Sequence, residues 1–166
     1  LGGNLSVVRV MPNQPALIDQ GISALYANER TSGEHRELAE KIMTAVGPAV
    51  WLDAERKMDA VTAVSGTGPS YFYLLIDVMI ESAIRYGIDP ETARSLAVET
   101  ARGATALAAA ETESMASLID RVRSPGGTTT AAFEYLDDAD ARGIFATAIE
   151  KAEQRAAELA KLASDA

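Results

Sequence analysis

The sequence predicts a mostly helical protein in which a short α/β piece leads into an all-helical remainder. Three observations carry this. First, 48% of the 166 residues are hydrophobic yet just 5% are aromatic, and alanine abounds, a composition that suits closely packed helices better than a β-sandwich. Second, strand signals occur up to about Asp53 and then vanish. Third, beyond that point apolar residues recur at helical spacing almost to the end of the chain.

SVVRVM (6–11) reads as a first strand, halted by the turn PNQP. ISALYA (22–27) reads as a second. The period then lengthens: Leu38, Ala39, Ile42, Met43 and Val46 form an apolar stripe, Thr31 and Glu34 have capping-box spacing, and Gly47-Pro48 is a stop. AVWLD (49–53) is a third strand. This β-β-α-β piece lacks a full sheet and looks like the tail of an α/β domain.

MDAVTAV (58–64) opens the helical part and is interrupted by SGTGP (65–69). Pro69 suits the first turn of the next helix, which runs through Tyr86 to a stop at Gly87. Its apolar residues cover nearly the whole circumference, leaving Asp77, Glu81 and Arg85 as one polar stripe. A helix of that kind is buried on most sides. In a part this small that points to burial against another chain, with the centre of a monomeric bundle as the alternative. Asp89-Pro90 caps a further helix whose expected buried face is small: Ala93, Ala97, Ala101, Ala104 and Ala108. Helices near 114–123, 129–136 and 140–162 follow.

Composition also excludes. A net charge of −9 repels phosphate backbones, so nucleic acid is not an expected partner. The absence of cysteine removes disulfides, thiolate metal sites and a cysteine nucleophile, and fits a reducing compartment. With His35 as the lone histidine, in the polar run SGEHRELAE, neither a histidine-rich metal site nor a Ser-His-Asp set is expected. The acidic cluster Asp137, Asp138, Asp140 lacks the spacing of a Ca²⁺ loop and reads as a solvated helix junction. No membrane span is expected, because the most apolar run is broken by Asp77 and Glu81. The chain opens on Leu1 and a glycine pair, so the start of a longer chain is expected to be missing.

SPGGTTT (124–130) places two glycines just before a helix. Free N–H groups and the positive end of the helix dipole converge there, and glycine admits a ligand close to the backbone. It is a carboxylate or phosphate cradle, or an ordinary glycine turn; the residues alone leave both open. SGTGPS is neither a P-loop nor a nucleophile elbow and reads as a helix junction.

Four motifs in order are more telling. RVMPNQPALIDQGISALYAN (9–28), DAVTAVSGTGPSYFYLLID (59–77), YGIDPETARSLAVETARGA (86–104) and RSPGGTTTAAFEYL (123–136) closely resemble the pyrroline-5-carboxylate reductase family. Its members reduce L-1-pyrroline-5-carboxylate to L-proline with NADPH or NADH. The resemblance implies that residues 1–53 are the C-terminal portion of a Rossmann-type nucleotide-binding domain and residues 54–166 an all-helical dimerisation and substrate-binding domain. It implies a cytoplasmic homodimer, which in the family often assembles further, commonly into decamers.

Carried over by position, Ser124, Gly126, Gly127, Thr128 and Thr129 are the substrate-binding loop. N–H groups around Gly126, Gly127 and Thr128 are expected to hold the carboxylate. Thr129 is the expected catalytic residue, its hydroxyl meeting the ring nitrogen. Met11, Pro12 and Asn13 flank the nicotinamide, and no metal is implied. Thr67 stands where the family has a second serine in its SGSGP stretch. TESMASLID (112–120) replaces a His-Pro pair common in the family. The G-x-G-x-x-G fingerprint that grips dinucleotide phosphates is absent from the chain, so the 166 residues alone are expected to dimerise without reductase activity. Two rivals stand beside this reading. One is a helical oligomerisation module with no chemistry of its own. The other is a related imine or hydroxy-acid reductase, whose usual helical-domain lysine or aspartate has no clear counterpart here.

Overall fold

The computed structural model of the chain describes residues 5–164. It divides into two compact units, residues 1–71 with 147–166 and residues 72–146. In the first unit the three expected strands are present, each slightly shorter than its apolar run: β1 (Val8–Met11), β2 (Ser23–Ala27) and β3 (Ala49–Trp51). The sheet order is β1-β2-β3, with β1 antiparallel and β3 parallel to the central strand. A parallel pair needs a long crossover, and the helix α1 (Gly33–Met43) supplies it. At the start of the pair, Gly21 N–H donates to the Val46 carbonyl at 3.0 Å. Gly47 sits at φ 136°, and a β-carbon there would collide with the Gly21 carbonyl. Glycine at 47 lets the two strands begin side by side, and at Gly21 a β-carbon would instead collide with Ala16.

The central strand is enclosed on both faces. Ser23, Ala24, Leu25 and Ala27 are all buried, and α1 and α2 (Met58–Val61) pack against it. Leu25 and Met58 are fully buried and form the middle of this core. Enclosing a leucine of that kind is worth about 1.5–3 kcal/mol.

Two expected local features move. Ser32, not Thr31, caps α1, its hydroxyl accepting from His35 N–H at 3.3 Å. Thr31 is drawn inward instead. It is 8% exposed, with its hydroxyl 3.0 Å from the Val7 carbonyl and 2.8 Å from Asn28 Oδ1. His35 is exposed, as expected, with Nδ1 3.1 Å from the Ser6 hydroxyl. The second change concerns SGTGP, which does not interrupt the helix as a loop. The backbone runs from α2 through a π-helical turn, Thr62–Gly66, into α3 (Gly68–Arg85). Thr67 N–H donates to the Thr62 carbonyl at 2.8 Å, and the Thr67 hydroxyl reaches the same oxygen at 3.0 Å. This i→i+5 closure absorbs one extra residue without breaking the helix.

α3 ends in a Schellman motif. Ile88 N–H donates to Ala83 and Gly87 N–H to Ile84, with Gly87 at φ 89°. Phe72, Leu74 and Leu75 on α3 are each more than half exposed. α4 (Pro90–Ala110) is capped by Asp89, whose Oδ1 accepts from Thr92 N–H at 3.0 Å. Ala93 and Ala97 are buried, Ala101 and Ala108 are half-buried, and Ala104 is exposed. The small-residue face expected on α4 is therefore covered fully over its first turns only. α5 (Met115–Val122), α6 (Thr128–Asp138) and α7 (Ala141–Ser164) complete the chain near their expected positions. Among the described residues no helix is long and apolar enough to cross a membrane.

Candidate functional site

Ser124 to Gly127 form a four-residue turn between α5 and α6. Gly127 N–H donates to the Ser124 carbonyl at 2.8 Å, and Gly126 sits at φ 69°. Proline second and a left-handed glycine third is the pattern of a type II turn, in which a side chain at the third position is strained. Gly127 is glycine for a different reason: a β-carbon there would collide with the Ser124 hydroxyl. Gly127 is also the N-cap of α6, its carbonyl accepting from Ala131 N–H at 3.1 Å. No side chain caps this helix. The N–H groups of Thr128, Thr129 and Thr130 thus belong to a first turn that has no intrahelical partners to offer them.

Of the expected donors, Gly127 N–H is engaged inside the turn, while the N–H groups of Thr128, Thr129 and Thr130 lie on the first turn of α6. Ser124 contributes its carbonyl to loop closure. Thr129 is half-buried, while Ser124, Gly126 and Thr128 are exposed. α5 reaches this loop from an N-cap at Ser114, whose hydroxyl accepts from Ser117 N–H at 3.1 Å. The stretch 112–120 therefore starts its helix on a serine cap, with no histidine or proline required.

Sequence reasoning missed two fasteners of this loop. The Thr130 hydroxyl donates to the Ser124 carbonyl at 2.7 Å. Arg123, the residue before the loop, pairs with Asp137 at 3.3 Å and lies over the Phe133 ring at 4.9 Å. The fourteen-residue spacing of Arg123 and Asp137 carries no periodic signal, because a turn separates them.

Met11, Pro12 and Asn13 lie in the first unit, at the end of β1 and the bend that follows. Asn13 Oδ1 accepts from Ile22 N–H at 2.9 Å, which ties this bend to the start of β2. Met11 reaches the π-helical turn: a β-carbon on Gly66 would collide with its terminal methyl. Two of the four motifs thus meet in this unit. Beside them an apolar hollow of about 370 Å³ is lined by Ile22, Ala24, Val50, Leu52 and Val64, with Ser65 and Lys57 among its few polar neighbours. Among the described residues no group of three or more His, Cys, Asp or Glu side chains could hold a metal ion.

A family model for pyrroline-5-carboxylate reductase dimerisation matches residues 55–159. The chain belongs to the pyrroline-5-carboxylate reductase family. A reductase of that name from Pseudomonas aeruginosa is 45% identical over 161 residues, 97% of this chain and 59% of that protein. The solved structure of a pyrroline-5-carboxylate reductase from Coxiella burnetii is 38% identical, with a TM-score of 0.89 over 96% of this chain and 59% of that one. A Plasmodium falciparum pyrroline carboxylate reductase, solved with NADP bound, is 27% identical, with a TM-score of 0.89 over 93% of this chain and 62% of that one. The chain therefore spans about six tenths of the length of these relatives. The family membership read from the four ordered motifs holds.

Proposed function

We propose that this chain is the C-terminal part of a pyrroline-5-carboxylate reductase and that its SPGGTT loop holds L-1-pyrroline-5-carboxylate while the imine is reduced to L-proline. The observation that carries the reading is the uncapped first turn of α6, set behind a type II turn, in a chain of this family. The substrate carboxylate fits there. Backbone N–H groups of Thr128, Thr129 and Thr130 would donate to its oxygens, and the helix dipole favours its charge. Gly126 and Gly127 keep side chains out of the way.

Thr129 is half-buried on that first turn, and its hydroxyl is the proposed catalytic donor. It would meet the ring nitrogen, where a neutral donor orients the imine without setting a fixed negative charge beside the incoming hydride. NADPH or NADH, when bound, supplies that hydride to the C=N carbon, and the nitrogen is protonated. Met11, Pro12 and Asn13 would flank the nicotinamide, held by the Asn13–Ile22 bond and the Gly66 contact. The residues on this chain fit the nicotinamide end of the cofactor only, since no G-x-G-x-x-G occurs here for its phosphates. Residues 1–53 are then the end of a Rossmann-type domain and residues 54–166 the dimerisation and substrate-binding domain. The working form is a cytoplasmic homodimer, which can assemble further into a decamer. The 166 residues alone dimerise without turnover.

The test is Thr129→Ala in the full-length protein, following NADPH oxidation with L-1-pyrroline-5-carboxylate. Loss of one positioned donor lowers kcat about 100-fold. An unchanged kcat/KM removes Thr129 from the reaction, and no imine-dependent oxidation in the unaltered protein removes the assignment.

A further inference from the structure

One carbonyl organises the SPGGTT loop. The Ser124 oxygen accepts twice, from Gly127 N–H at 2.8 Å and from the Thr130 hydroxyl at 2.7 Å. The first bond closes the turn on itself. The second ties the turn back to the third residue of α6. Without it, the turn joins the helix only through the Gly127 backbone.

The loop's other flank is fastened separately. Arg123 is held to α6 by Asp137 and the Phe133 ring, and its side chain is only 28% exposed. A second carboxylate, Asp120, stands 4.0 Å away on the preceding turn. With Arg123 fixed by those contacts, the Thr130 hydroxyl has one remaining task, the orientation of the turn against the helix start. The N–H groups of Thr128, Thr129 and Thr130 take their direction from α6 itself, and the orientation of the turn decides what stands in front of them.

From this geometry we propose that Thr130 is a positioning residue for substrate binding, acting through the Ser124 carbonyl and not by touching the substrate. The proposal rests on the reading of this loop as the imine site. Its consequence differs from that of Thr129. A cradle that holds the carboxylate does so before and during reduction alike, so loosening it weakens binding in both states. Such uniform loss raises KM and spares kcat.

The experiment compares Thr130→Val and Thr130→Ser in the full-length protein. Valine keeps the branched shape and lacks the hydroxyl; serine keeps the hydroxyl and lacks the methyl. Thr130→Val is expected to raise KM for L-1-pyrroline-5-carboxylate about three- to tenfold, the scale of one neutral hydrogen bond, with kcat and the KM for NADPH little changed. Thr130→Ser is expected to restore KM to within about twofold. Amide hydrogen exchange at Gly127 should quicken by a similar factor in the valine variant and not in the serine variant. A valine variant with unchanged KM overturns the proposal. So does a serine variant as impaired as valine, or a fall in kcat at constant KM, which is the mark of lost folded protein. If the unaltered protein shows no imine reduction, the function assignment fails and this proposal with it; failure in the variants alone leaves that assignment standing.

Discussion

Leu25 on β2 is fully enclosed, whereas Phe72 on α3 is 55% exposed. The two residues stand for two ways of using apolar sequence. The sheet region encloses its central strand with α1 and α2, although Leu17, Ile18, Ile42 and Val64 around that strand stay exposed. α3 carries an equally apolar run and leaves it uncovered: Phe72, Tyr73, Leu74, Leu75 and Val78 are all about half exposed or more. Exposure of that extent on one helix suits an interaction surface, and in the proposed homodimer its occupant is a second copy. Hydrophobic pattern alone therefore identifies what will be buried but not by which molecule.

The largest expected effect strikes the exposed side of this contrast. Phe72→Glu combined with Leu75→Glu should convert the proposed dimer to monomer at micromolar concentration. Each side chain is worth about 1.5–3 kcal/mol when buried, and each occurs in both copies of a symmetric contact. Sedimentation measures it, and a double variant that still sediments as a dimer moves the interface off this face. Next comes Leu25→Ala. It should destabilise the sheet unit by about 2–5 kcal/mol in chemical denaturation, with the assembly state of the folded protein unchanged. If Leu25→Ala instead separates the dimer, the two regions are not independent in the way their burial suggests.

Much of this organisation was legible in the sequence because it depends on local chemistry. A β-branched run marked the first strand and short apolar runs between turn signals marked the other two, and Asp89-Pro90 and Gly87 marked helix ends through capping that needs no distant partner. SPGG was legible as a turn because proline and a left-handed glycine specify one. What escaped depends on competition between neighbours. Thr31 satisfied the capping-box spacing but found better partners at Val7 and Asn28, which left the cap to Ser32. SGTGP looked like a break because its two glycines lower helix propensity. The closure from Thr67 back to Thr62 overrides that preference, and the Thr62–Thr67 separation of five was the one available signal. Thr130 ends the SPGGTTT motif, and its role is hidden in the sequence because its partner is the Ser124 backbone, which no side-chain pattern reveals.

The smallest effect concerns pH and the start of α4, where the helical unit has its only fully enclosed side chains among the described residues, Ala93 and Ala97. The Asp89 carboxyl is held below the usual aspartate range, first by the Thr92 backbone N–H it caps. A carboxylate whose folded value is depressed contributes stability at pH values above the unfolded one, about 3.9. That contribution is lost as pH falls through the folded value, because the protonated acid is a weaker acceptor. Stability should therefore decline below about pH 4 with a component that Asp89→Asn removes, since asparagine caps as well without titrating. Thermal melts of both proteins between about pH 3 and 6 measure the difference. The expected pattern is a variant equal to or slightly below the parent near pH 6 and a shallower fall toward pH 3. Parallel curves would mean that the cap's charge is not what secures the helix carrying Ala93 and Ala97. The packing of those two alanines would then hold α4 in place by itself, and the helical unit would be more self-sufficient than its exposed α3 suggests.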